Sequence, residues 1–181
     1  VIAATGVVTA LAQSLVTFTF TNTATGCSKT TNTLVVNDPP SAYVLRDTIC
    51  VGNTTTLTPS TGGTWIAMNS TIASLSAGTT VTGISAGLAT FRFTESPSGC
   101  IAFDTVIVQA RPIVTNGAAQ ICVGSTTQLA PTTGGSWQSS NGSIAIINNS
   151  ALVTGIQAGT AFFTFTSSAG CISLPSANVI V

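Results

Sequence analysis

The sequence predicts an all-β chain, built as a tandem array of small antiparallel sandwiches. Three observations carry this. The stretch Val153-Thr154-Gly155-Ile156-Gln157-Ala158-Gly159 recurs as Val81-Thr82-Gly83-Ile84-Ser85-Ala86-Gly87, and in a worn form over Val8 to Ser14, at spacings of 72 (153 − 81) and 73 (81 − 8) residues. A fixed period along a chain marks a repeat architecture. Residues 49–88 laid without a gap on 121–160 agree at 21 of 40 positions. Within each period apolar residues alternate with Thr and Ser, as in Leu15-Val16-Thr17-Phe18-Thr19-Phe20, and Gly, Asn, Ser and Pro separate the runs. That is a strand-and-turn signal of period two rather than the 3.6 of a helix. About seven short strands per unit is the count of an antiparallel sandwich of immunoglobulin type.

Taken in order, residues 1–38 read as the C-terminal half of one such unit. They hold the worn stretch, the alternating run from Val16 to Thr21, Gly26-Cys27 and a closing strand over Thr33 to Val36. Asp38-Pro39-Pro40 follows, and paired prolines that cannot donate to a ladder read as a linker. Residues 39–110 form a complete repeat. Its landmarks are Ile49-Cys50-Val51-Gly52, Gly62-Gly63-Thr64-Trp65, the Val81 stretch, Ala89 to Thr94, Gly99-Cys100 and Thr105 to Val108. After Arg111-Pro112 the same order returns in a second complete repeat, residues 111–181. The sequence opens in mid-repeat without an initiator Met, so it is expected to be a segment of something longer. Short linkers would keep successive units stiff relative to one another, giving an extended array.

Composition removes several function classes. The 181 residues carry four Lys+Arg, four Asp+Glu and no His, a net charge of zero. So few cations leave no electrostatic footprint for nucleic acid and no polybasic segment for an anionic membrane. Mean hydropathy is +0.56, yet no apolar run approaches the 18 or so residues of a spanning helix. No nucleic-acid partner and no membrane insertion are expected. Solubility must rest on hydroxyls, glycans or ordered packing with neighbours.

Cysteine is the sharpest feature. Cys50 and Cys100 are 50 residues apart, and Cys122 and Cys171 are 49 apart, at equivalent places in their units. Each first Cys precedes a Thr-rich strand and each second Cys follows an aromatic one. These points can share one end of a sandwich, so the expected disulfides are Cys50–Cys100 and Cys122–Cys171. Closing loops of that size would be worth roughly 4 kcal/mol on the chain-entropy estimate. The rival reading is reduced core cysteines in a cytosolic protein. Cys27 matches Cys100 in position (100 − 27 = 73), so its partner is expected upstream and Cys27 is expected unpaired here. A free thiol linking two molecules is the alternative.

Trp65 and Trp137, each following Gly-Gly, read as core anchors; the functional alternative is a sugar-stacking face. Phe91/Phe93, Phe18/Phe20 and Phe163/Phe165 share a strand face at i, i+2 and should fill the same core. Gly83, Gly87, Gly155 and Gly159 would supply positive φ at turns. A phosphate cradle would also want glycine, but no Lys and no helix start follow them.

The inventory for catalysis is thin: Asp38, Asp47, Glu95 and Asp104 against Lys29, Arg46, Arg92 and Arg111. None of the acids recurs in the second complete repeat. General acid–base work needs paired titrating groups within hydrogen-bond reach, and a Ser or Cys nucleophile needs an adjacent base. Zinc lacks His and close CxxC spacing, and calcium wants several carboxylates. No enzyme activity, catalytic residue, metal site or cofactor is expected.

Two features together resemble bacterial immunoglobulin-like repeats of group 2 type, found in invasin-like and other surface adhesins. They are Trp137-Gln138-Ser139-Ser140-Asn141 followed by Ser143-Ile144-Ala145, and Val153-Thr154-Gly155-Ile156 with Ala158-Gly159-Thr160. In the middle unit Trp65-Ile66-Ala67-Met68-Asn69 departs from that pattern, while Thr71-Ile72-Ala73 keeps it. The Cys-Val-Gly and Gly-Cys pairs, with the scarcity of charge, resemble giant repetitive adhesins of the Bacteroidetes, which are exported by the type IX route and in some cases serve gliding. Asp47-Thr48-Ile49 and Asp104-Thr105-Val106 resemble the O-glycosylation sequon of that group, marking Thr48 and Thr105.

The resemblance implies a stalk segment of an extracellular adhesin or surface filament, attached at the bacterial outer membrane and giving reach and mechanical strength for attachment or gliding. Its partners would be neighbouring repeats of the same chain, and surface polysaccharide or other cells met by a distal tip. The alternatives are a glycan-binding sandwich module of a secreted protein and a self-assembling surface-layer or pilus-like subunit.

Overall fold

The computed structural model describes residues 6–181, and no helix occurs among the described residues. Four short strands come first: β1 (Ser14–Val16), β2 (Thr19–Thr21), β3 (Ser28–Thr30) and β4 (Leu34–Val36). β1 pairs antiparallel with β4 and β2 with β3. The predicted Phe18/Phe20 core face does not form one here. Phe20 is 73% exposed, because the two ribbons have no second sheet laid over them among the described residues. A strand pair buries a face only when something covers it.

The first complete unit has two sheets that cover each other. It comprises β5 (Tyr43–Val44), β6 (Thr48–Cys50), β7 (Thr54–Thr58), β8 (Gly63–Ala67), β9 (Ala73–Ser76), β10 (Thr80–Gly83), β11 (Gly87–Glu95) and β12 (Ile101–Gln109). One sheet runs β5-β7-β10-β9 and the other β6-β12-β11-β8. Every contact between neighbours is antiparallel except one: β6 lies parallel to β12, with Ile107 opposite Thr48 and Gln109 opposite Cys50. Alternation puts Ala89, Phe91 and Phe93 of β11, with Val106 and Val108 of β12, onto Leu57 and Val81 of the facing sheet. Fully burying a Phe, Leu or Val side chain is worth about 1.5–3 kcal/mol each.

The second unit contains β13 (Thr126–Gln128), β14 (Gly135–Ser139), β15 (Ala145–Ile147), β16 (Leu152–Gly155), β17 (Thr160–Ala161), β18 (Phe163–Ser167) and β19 (Val179–Ile180). Its core repeats the first, with Leu129, Val153, Phe163, Phe165 and Val179. In both units the tryptophan sits opposite the second phenylalanine of the pair, Trp65 against Phe93 and Trp137 against Phe165. The ring centroids are 5.1 and 5.2 Å apart. Each indole Nε1 donates to a proline carbonyl, Pro59 at 2.9 Å and Pro131 at 3.0 Å, so the polar end of the buried ring is satisfied.

Candidate functional site

The chemistry of this chain concentrates where one unit meets the next. Cys50 ends β6 and opens a tight corner, in which the Asn53 amide donates to the Cys50 carbonyl at 2.9 Å. Gly52 takes the third place of that turn at φ +84°, a conformation for which glycine carries no steric cost. The Gly52 amide ties the corner to the Gly83 carbonyl at 2.8 Å. Cys171 lies on the hairpin after β18, where its carbonyl accepts from the Ser167 amide at 2.9 Å.

The two sulfurs are bonded to each other. Cys50 and Cys171 form a disulfide with a Cα–Cα distance of 5.6 Å across 121 residues of sequence. The bond therefore joins the two complete units. The expected pairs Cys50–Cys100 and Cys122–Cys171 are not formed: Cys100 and Cys122 are free.

The parallel pairing of β6 with β12 explains the correction. Cys50 lies beside Gln109 at the C-terminal end of β12, whereas Cys100 precedes its first residue, Ile101. At about 3.4 Å per residue, the strand holds the two cysteines roughly 30 Å apart, and a disulfide needs Cα atoms within about 7 Å. The second unit repeats the geometry. The amide of Ile121, beside Cys122, donates to the Ile180 carbonyl at 2.9 Å, while Cys171 sits by Ile172 at the other end of the segment.

Arg111 completes the joint. Its Nε donates to the Val51 carbonyl at 2.7 Å, so a side chain from the linker holds the corner that carries Cys50. Cys50, Asn53 and Arg111 line a crevice with Gly170, Ile172 and Ser173 of the second unit. Sequence reasoning took Arg111 as a boundary marker and missed this role; its place beside Pro112, between two repeats, was the available signal.

The remaining candidates lie elsewhere. Trp65 and Trp137 are 8% and 9% exposed within the two cores. Thr48 and Thr105 are both exposed. Cys27 is free and exposed on the β2–β3 hairpin, where its carbonyl accepts from the Asn22 amide at 2.8 Å. The acids have local work: Asp104 Oδ2 accepts from the Val44 amide at 2.6 Å, and Glu95 Oε2 accepts from the Ser98 hydroxyl. Among the described residues no three His, Cys, Asp or Glu gather as a metal site, and no helix is long and apolar enough to cross a membrane.

No protein-family profile and no curated protein matches the sequence. Solved structures do match the fold. The C-terminal 282-residue fragment of intimin, solved with the intimin-binding domain of its translocated receptor, superposes with a TM-score of 0.50 at 16% identity over 77% of this chain and 63% of the fragment. Invasin, described as a bacterial integrin-binding protein, gives 0.53 at 15% identity over 86% of this chain and 42% of its own length. This chain thus spans less than two thirds of either. At such identity the likeness shows the fold: an all-β chain of immunoglobulin-like sandwich units.

Proposed function

We propose that this chain is a stalk segment of a long repetitive extracellular adhesin or surface filament, whose units are stacked in line and joined covalently to give reach and strength. The observation that supports this most is the Cys50–Cys171 bond, because it fastens unit to unit rather than closing a unit on itself. Disulfides of this structural kind persist in oxidising compartments and are rare in the cytosol. The fold shared with intimin and invasin is consistent with a place at a bacterial surface. Scarce charge, with exposed Thr48 and Thr105 as candidates for O-glycosylation, fits the Bacteroidetes type of adhesin, its type IX export and a role in attachment or gliding. The domain division adopted is residues 1–38, 39–110 and 111–181, and no catalytic role is assigned. A sugar-stacking role for the tryptophans is disfavoured, since both indoles face the core.

Antibodies raised against the 181-residue chain would be applied to intact cells and viewed by immunogold electron microscopy. Label along thin filaments at the cell surface is the expected result. Label that requires permeabilised cells would overturn the proposal.

A further inference from the structure

The joint occurs in this chain once closed, once as an open corner at Cys122 and twice as an open hairpin, at Cys100 and Cys27. Cys122 is the counterpart of Cys50 (122 − 50 = 72) and Cys100 that of Cys171 (171 − 100 = 71). The open corner already has the closed shape. The Ser125 amide donates to the Cys122 carbonyl at 3.0 Å and the Gly124 amide to Gly155 at 2.9 Å, against 2.9 and 2.8 Å at Cys50. The open hairpin matches too, with the Glu95 amide donating to the Cys100 carbonyl at 2.8 Å where the Ser167 amide donates to the Cys171 carbonyl at 2.9 Å. What differs is cover. Cys122 is exposed where Cys50 is half-buried, and Cys100 is half-buried where Cys171 is fully buried.

We propose that Cys122 forms a second inter-unit disulfide, closing on the Gly-Cys hairpin of a following unit of this repeat carried by the same polypeptide. Cys100 and Cys27 are the hairpin halves of the same bond toward preceding units, so that a rung joins each unit to its successor. The partner of Cys122 lies about 121 residues further along, the separation of the rung already present. The partner belongs to the same polypeptide because a short linker of the Arg111-Pro112 kind presents the next hairpin at millimolar effective concentration, which a separate molecule does not match.

Each rung is a two-electron oxidation. The Cys122 thiolate attacks the disulfide of a thiol–disulfide oxidant, one oxidant sulfur leaves as a thiol, and the hairpin thiolate displaces the second. Two protein thiols and one oxidant disulfide become one protein disulfide and two oxidant thiols. The inference rests on the extracellular reading, since such a bond needs an oxidising compartment.

The test takes the full-length protein from its natural source, alkylates free thiols at lysis and digests without reduction for mass spectrometry. The expected result is a Cys122 peptide linked to a Gly-Cys peptide other than those of Cys27, Cys100 and Cys171, in a protein that migrates as one chain without reductant. A Cys122 peptide that is alkylated, bonded to Cys27 or Cys100, or linked to a second chain that reduction releases would overturn the proposal while leaving Cys50–Cys171 intact, and a Cys122–Cys171 bond would overturn both. Alkylation of Cys50 and Cys171 as well would place the failure in the extracellular reading. Cys122→Ser should leave Cys50–Cys171 bonded and expose one new titratable thiol on a hairpin further along; no gain of thiol would also overturn the ladder.

Discussion

In the first complete unit the last strand pairs unbroken with β11 from Ile101 to Val108, whereas in the second the same stretch is paired only near its two ends. The cause can be counted. From Cys100 to Val108, the partner of Gly87, is 8 residues (108 − 100). From Cys171 to Val181, which exchanges hydrogen bonds with Gly159, is 10 (181 − 171). Two extra residues cannot sit in the ladder, and Pro175 has no amide to offer it. The hydroxyls of Ser173 and Ser176 fill the gap, accepting from the buried amides of Phe165 at 3.0 Å and Phe163 at 2.9 Å. Because the insertion is even, the inward face is recovered at Val179. A shift of one would have turned the strand inside out. The last strand of a unit can therefore be remade by side-chain acceptors while the core beneath it stays the same.

The largest test of this comparison removes what the units share. Cys50→Ser opens a loop of 121 residues and should cost about 5 kcal/mol on the chain-entropy estimate. Both units should lose stability together, read as a fall in denaturant midpoint that reductant does not deepen. Phe91→Ala and Phe163→Ala, both fully buried, should each cost about 3–5 kcal/mol. Near-equal losses, followed by hydrogen exchange within each unit, would confirm that the cores are equivalent despite their different last strands. Ser176→Ala strands the Phe163 amide and should cost about 1–3 kcal/mol, with faster exchange at that amide and none at its counterpart Phe91. Asp104→Ala acts only on the first unit. It releases the Val44 amide for about 1 kcal/mol, checked by the same exchange experiment at β5.

Much of the fold was legible because it is written locally. The 72-residue period, the alternation at Phe91/Phe93 and Phe163/Phe165, and the tryptophan after Gly-Gly all depend on neighbours within one unit. The cysteine partners were not legible. Spacing showed that the positions are equivalent but not which end of the sandwich each occupies, and that was decided by the parallel seat of β6 against β12. Gly83 and Gly155 misled in a similar way. They are extended strand ends, and a Cβ on either would come within 3.0 Å of the Cys50 or Cys122 carbonyl, so glycine is needed there for close approach rather than for a turn. Phe20 has the right pattern, but pattern cannot report whether a second sheet lies across it.

The inter-unit bond also decides where tension travels. When the chain is pulled from its ends, the load crosses from Cys50 to Cys171 through sulfur, and the residues between them carry none of it even if their sandwiches melt. In a ladder of such rungs the taut path re-enters the backbone only between one bridge and the next, a stretch measured here by Cys27 to Cys50, 23 residues (50 − 27). Drawn straight, that is about 80 Å, while two nine-residue strands laid in line already span roughly 60 Å. A thread built this way gives up its folded cores without growing much longer. It behaves as a tether of nearly fixed length rather than a spring.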